Sequence, residues 1–115
     1  MIVKRVFHFE SAHRLPHHPG KCRELHGHSY RLVVSVDRPV EATSGMGIDF
    51  SDLKALVRDE VVDRLDHRSL NDVLDNPTAE LIAQWIWERL AGKLPGLAEV
   101  ELWETAECAV VYRGA

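Results

Sequence analysis

His26-Gly27-His28 places two imidazoles at i and i+2, on the same side of an extended segment, with no side chain crowding the residue between them. His13 ends the preceding strand-like segment across a loop, where a hairpin would set it opposite the pair. Three neutral imidazoles suit Zn²⁺, and three protein ligands leave a fourth position for water or substrate. Cys22, at C-x3-H-x-H spacing, admits two chemistries. It can be a fourth ligand, closing a structural Cys-His₃ centre. Alternatively it can stand beside the metal as a thiolate whose pKa the cation lowers, available as a base. Asp66-His67 offers a carboxylate–imidazole dyad, in which the carboxylate sets the ring's tautomer and raises its basicity. Glu104 shares strand parity with Val100 and Leu102, which point to the core, and an inward carboxylate is costly unless it is paired. Its alternative is a strand end curling into solvent. Cys108 reads as a small buried residue at a strand start, and His8, His17 and His18 as ordinary polar histidines.

The elements that must hold these groups follow from hydrophobic period. Residues 2–14 alternate, with Val3, Phe7 and Phe9 on the parity of His13, and residues 29–37 alternate again around Tyr30, Leu32, Val34 and Val36. Pro16, Pro19 and Gly20 mark the loop between them, so the two strands are expected to pair antiparallel. Ser51 is the expected N-cap of a first helix carrying the stripe Leu53, Leu56, Val57 and Val61. Leu65–Asp72 reads as polar loop. Thr78 is the expected N-cap of a second helix whose stripe is Leu81, Ile82, Trp85, Ile86, Arg89 and Leu90, closed by Gly92 and Pro95. Residues 98–104 and 109–113 supply two more strands. The order ββααββ predicts an α+β fold, an antiparallel sheet with both helices on one face, and a single domain over residues 1–115.

Composition narrows the function classes. Fourteen Lys+Arg against eighteen Asp+Glu give a net charge of −4, which argues against a nucleic-acid partner. No apolar run reaches the roughly 20 residues of a membrane helix, and no signal-peptide pattern opens the chain, so a cytoplasmic setting with reduced cysteines is expected. Six of the seven histidines fall in the first 28 residues. A chain of 115 residues is short for a deep walled pocket, which points to a site shared between subunits.

Six segments in order, Phe9–Leu15, Cys22–Tyr30, Ile48-Asp49-Phe50, Leu65–Asn71, Asn76–Glu80 and Glu104-Thr105, make the chain resemble the 6-pyruvoyltetrahydropterin synthase family over nearly its whole length. The C-x3-H-G-H spacing is similar to that of the 6-carboxytetrahydropterin synthase branch. The resemblance implies a tunnelling fold (T-fold), with trimers closing a β-barrel, pairs of trimers stacking into a homohexamer, and active sites between subunits. It implies Zn²⁺ on His13, His26 and His28, Cys22 as catalytic base, Asp66 and His67 as the acid/base dyad, and Glu104 as the carboxylate that holds the pterin's guanidine-like edge. Thr78 and Glu80 match a segment that approaches the pterin. The implied reaction converts 7,8-dihydroneopterin triphosphate to 6-carboxy-5,6,7,8-tetrahydropterin with release of acetaldehyde and triphosphate, and the carboxypterin would feed synthesis of queuosine or another 7-deazapurine product. The rivals are the pyruvoyl product on the same scaffold and a non-catalytic, zinc-stapled pterin-binding domain. No P-loop is present, and the cations Arg14, Lys21, Arg23 and Arg68 are scattered along the chain.

Overall fold

The computed structural model describes residues 1–115. Two twelve-residue strands, β1 (Ile2–His13) and β2 (His26–Asp37), pair antiparallel from Ile2↔Asp37 to His13↔His26. β3 (Arg68–Ser69), β4 (Leu97–Trp103) and β5 (Ala109–Tyr112) complete a sheet of order β3-β1-β2-β4-β5. The four long strands are antiparallel, as their alternation predicts; two-residue β3 runs parallel to β1 at Ser11 and Ala12.

Helix α1 (Phe50–Val57) runs on through a π-helical turn, Arg58–Val62, into a last turn at Asp63–Leu65. Helix α2 spans Ala79–Ala91. Leu53, Val57, Val61 and Leu65 from the first helical run and Ile82, Ile86 and Leu90 from α2 are fully buried, in one core with Phe7, Phe9, Leu32, Val34, Val100 and Leu102 of the sheet. A buried leucine-sized side chain is worth about 1.5–3 kcal/mol, so this layer carries most of the stability.

Local details depart from the sequence reading at four places. Asp49, not Ser51, caps α1: its Oδ1 accepts from the Ser51 N–H at 2.6 Å, and the helix starts two residues earlier, at Phe50. In α2 the buried stripe takes in Ala83, while Leu81 lies 39% exposed on the flank. The segment read as polar loop holds Leu65 and Leu70, both fully buried, which pull it against the core as a helix end, β3 and a 3₁₀ turn over Leu70–Asp72. Cys108 is exposed, at the last position of the turn that leads into β5. At Gly96, φ is +87° and a Cβ would collide with the Asp37 carbonyl oxygen, so only glycine fits the turn into β4.

Candidate metal centre and active site

The hairpin register builds the histidine cluster. His13 faces His26 across the β1–β2 ladder and His28 sits two residues along the same face, directed like Phe9 and Tyr30 toward the helix layer. The ring centroids are 4.6, 5.1 and 5.0 Å apart for His13–His26, His13–His28 and His26–His28. One ring nitrogen from each falls within 4.8 Å of the other two, an arrangement able to hold a metal ion. Cys22 does not belong to that group.

Hydrogen bonding prepares these rings as ligands. His13 Nδ1 donates to the Pro77 carbonyl at 2.8 Å, and His26 Nδ1 donates to the Glu24 carbonyl at 2.7 Å. A carbonyl can only accept, so Nδ1 carries the proton and Nε2 keeps its lone pair. Burial pushes the His13 pKa below the usual imidazole value, outweighing the opposing Pro77 bond and favouring the neutral, ligating form. The Nε2 atoms of His13 and His28 are buried without a hydrogen-bond partner. Orphaned buried nitrogens on converging rings are what a metal ion would satisfy.

Glu104 continues β4 past the Trp103↔Arg31 pair, with its N–H bonded to the Cys108 carbonyl at 3.0 Å. The strand end does not curl into solvent. Its carboxylate turns inward, Oε1 3.5 Å from His28 Nε2 and Oε2 4.0 Å from His13 Nε2, with one quarter of the side chain exposed. Beneath the cluster, burial raises the Tyr30 phenol pKa first and Glu104 adds to it, so the hydroxyl stays protonated. Cys22 lies half-buried in a 3₁₀ turn, Lys21–Arg23, whose carbonyl at Cys22 accepts from the Leu15 N–H at 2.8 Å.

Asp66 and His67 do face one another, His67 Nδ1 lying 3.0 Å from Asp66 Oδ1. This needs an unusual backbone: His67 has φ +58°, in the left-handed region that non-glycine residues seldom occupy. Glu10 holds it there. Its N–H donates to Asp66 Oδ1 at 2.9 Å and its carbonyl accepts from the His67 N–H at 2.6 Å. The Glu10 N–H is also the chief reason the Asp66 carboxyl titrates below its usual range, with His67 adding to it. His67 and His28 both line a cavity of about 450 Å³ with Glu10, Ser29 and Arg68. His67 and His28 are the members of the dyad and the cluster that reach it.

Thr78 caps α2, its Oγ1 accepting from the Leu81 N–H at 3.2 Å. Glu80 is exposed and lines a separate cavity with Glu104 and Cys108. Sequence reasoning misses Glu10 and Pro77 because both act through the backbone, which leaves no side-chain signature. Ser29 Oγ, which donates to Glu10 Oε2 at 2.7 Å, is equally silent in the sequence.

A five-stranded sheet backed by helices, with three histidines gathered at the loop end of its central hairpin, defines an α+β protein with a candidate metal centre. Residues 2–115 match the family model described as 6-pyruvoyl tetrahydropterin synthase, and the chain belongs to that family. A Synechocystis protein named 6-carboxy-5,6,7,8-tetrahydropterin synthase is 49% identical over 119 residues, covering 96% of this chain and 92% of that protein. A Pyrococcus furiosus protein named dihydroneopterin monophosphate aldolase is 44% identical over 105 residues, covering 89% and 88%. The solved Caenorhabditis elegans 6-pyruvoyl tetrahydropterin synthase superposes with a TM-score of 0.90 at 30% identity, covering all of this chain and 96% of that one. The fold is the T-fold.

Proposed function

We propose that this chain is a zinc-dependent carbon–carbon lyase that converts 7,8-dihydroneopterin triphosphate and one water to 6-carboxy-5,6,7,8-tetrahydropterin, acetaldehyde and triphosphate. The observation that carries the reading is the trio His13, His26 and His28, two of them with unpartnered Nε2 atoms, beside the inward carboxylate of Glu104. The Synechocystis relative's name supports the carboxylated product. Held by the three histidines, Zn²⁺ would supply Lewis-acid polarisation of the side-chain oxygens. Glu104 accepts paired hydrogen bonds from the pterin's guanidine-like edge, which fixes the ring relative to the cluster. Cys22, as thiolate, removes a proton from the substrate side chain. His67, oriented by Asp66, moves protons on the other face, with Thr78 and Glu80 closing the pterin side.

The open cavity fits a site completed by a neighbouring subunit, in a trimer or hexamer of the T-fold type. No helix is long and apolar enough to cross a membrane, and the reading places the enzyme in the cytoplasm, supplying 7-deazapurine synthesis such as that of queuosine. The Pyrococcus relative motivates a second reading, retro-aldol cleavage of a dihydroneopterin phosphate in which the two-carbon fragment keeps its phosphate. Mass spectrometry after incubation with dihydroneopterin triphosphate separates the readings. The expected products are the carboxypterin and acetaldehyde. A 6-pyruvoyl product, or a hydroxymethyl pterin with a phosphorylated two-carbon aldehyde, would overturn the carboxy assignment. A domain that merely binds zinc would release neither.

A further inference from the structure

The loop that joins β1 to β2 carries Arg14, Lys21 and Arg23 against one carboxylate, Glu24, in a chain whose overall charge is −4. It closes on itself through the Leu15 N–H to Cys22 carbonyl bond, and Arg14 and Arg23 are the immediate neighbours of that bonded pair. Both line one cavity of about 470 Å³ with Pro16, Pro19, Gly20 and Glu24, where Glu24 is the one acidic residue. The backbone of Arg14 is clamped from both sides by Asn71, whose Oδ1 accepts from the Arg14 N–H at 2.8 Å and whose Nδ2 donates to the Arg14 carbonyl at 2.9 Å. That of Arg23 is tied to the Gly20 carbonyl at 3.2 Å. The bases of both side chains are therefore held, while neither guanidinium has a carboxylate within 4.0 Å. Two anchored, unpaired guanidinia around a polar hollow form a receptor for an oligo-anion, since each presents a planar fork suited to phosphate oxygens.

The position along the sheet decides which anion. Glu104 lies level with Tyr30, then come His28 and the His13–His26 pair, and then the loop with Arg14 and Arg23. A pterin held at Glu104 with its side chain at the histidines directs the far end of that side chain toward the loop. We infer that Arg14 and Arg23 form the clamp for the phosphate chain of the substrate and of the departing triphosphate. The inference rests on the proposed reading of the site and names its missing anion subsite.

The test compares binding of 7,8-dihydroneopterin triphosphate and unphosphorylated 7,8-dihydroneopterin, by fluorescence titration of the zinc-loaded full chain in a Cys22→Ala background that does not consume ligand. Replacing both arginines (Arg14→Gln with Arg23→Gln) is expected to weaken the triphosphate about a hundred-fold and the unphosphorylated compound less than about two-fold, as loss of two charge-assisted contacts requires. The lysine pair (Arg14→Lys with Arg23→Lys) is expected to recover part of the loss, and removing two distant cations (Lys54→Gln with Arg64→Gln) to cause none. Equal weakening of both ligands, no weakening of either, or an equal loss in the Lys54/Arg64 control would overturn the clamp. The readout is binding, so it stands apart from the reaction: absence of carboxypterin from the wild-type chain would overturn the proposed reaction and leave this ratio to be judged separately.

Discussion

Two polar clusters lie on the helix side of the sheet, and they are finished in opposite ways. In one, Glu60 is buried at the π-helical turn, yet its carboxylate meets Arg89 Nη2 at 2.8 Å and Lys93 Nζ at 2.5 Å. Its main-chain carbonyl accepts from Arg89 Nε at 3.1 Å as well, so α2 is pinned to the helical run before it. In the other, His13 and His28 are packed among aromatic rings with Nε2 atoms that bond to nothing. A buried polar group left unpaired costs about 1–3 kcal/mol, so folding alone favours the first arrangement and opposes the second. The difference separates a polar cluster that holds the fold from one whose ring nitrogens are left able to hold a metal ion.

Crossed substitutions break that comparison most sharply. His28→Ala is expected to abolish metal binding, measured by zinc content after dialysis, and to lower turnover by about 10³-fold, the loss expected when Lewis-acid stabilisation of several kcal/mol disappears. The melting temperature of its metal-free form should equal or exceed that of the metal-free wild type, because an orphaned buried nitrogen is gone. A metal-free variant that melts well below the wild type would mean that His28 serves the fold. Next in size is Cys22→Ala. Zinc content should be unchanged and turnover should fall about 10²- to 10⁴-fold, the range for a positioned proton-transfer group. Loss of metal from this variant would restore the closed Cys-His₃ centre.

Glu60→Ala should do the reverse of His28→Ala, lowering the melting temperature while zinc content and kcat stay within two-fold, about the ordinary scatter of a remote substitution. Its sign with pH is also set. The Lys93 hydrogen bond outweighs burial, which acts the other way, and holds the Glu60 carboxyl below its usual range; the Glu10 N–H does the same for Asp66. Both groups therefore contribute stability at neutral pH, and it is lost as pH falls from the ordinary carboxylate range through their folded values. Acid unfolding followed by circular dichroism should be shallower in Glu60→Ala than in the wild type. Equal slopes would show that the cluster is not coupled to folding.

What was legible in the sequence tracks the same contrast. The alternation through Phe7, Phe9 and His13, and through His28, Tyr30 and Leu32, was enough to put three imidazoles on one face, since strand parity is a local property. Helix α2 and its Thr78 cap were equally readable. The Glu60 cluster was not, because a π-helical turn shifts the helical phase and no spacing in the sequence announces it. Nor was the left-handed backbone at His67, which depends on Glu10, 57 residues earlier. Asp66-His67 is adjacent in sequence, but two main-chain bonds from β1 are what make the adjacency useful. Arg14 and Arg23 looked scattered for a related reason: only the Leu15–Cys22 closure brings them to one hollow.

The smallest effect tests where the two kinds of cluster meet. Thr78 Oγ1 caps α2 at the Leu81 N–H, and the preceding carbonyl, that of Pro77, accepts from His13 Nδ1. One short segment thus begins a helix and orients a ring of the histidine cluster. Thr78→Ala should cost about 1 kcal/mol of stability, the ordinary value of a lost N-cap, with a small rise in KM as the first turn of α2 loosens around Pro77. Thr78→Asp separates the causes, because aspartate caps as well as threonine but puts a charge where the hydroxyl stood. If Thr78 acts through the cap, the aspartate variant regains both the melting temperature and the wild-type KM. A regained melting temperature with a KM still raised several-fold would instead put the Thr78 hydroxyl in contact with the pterin. Stability and binding would then be divided within a single side chain, the same division that separates Glu60 from His28.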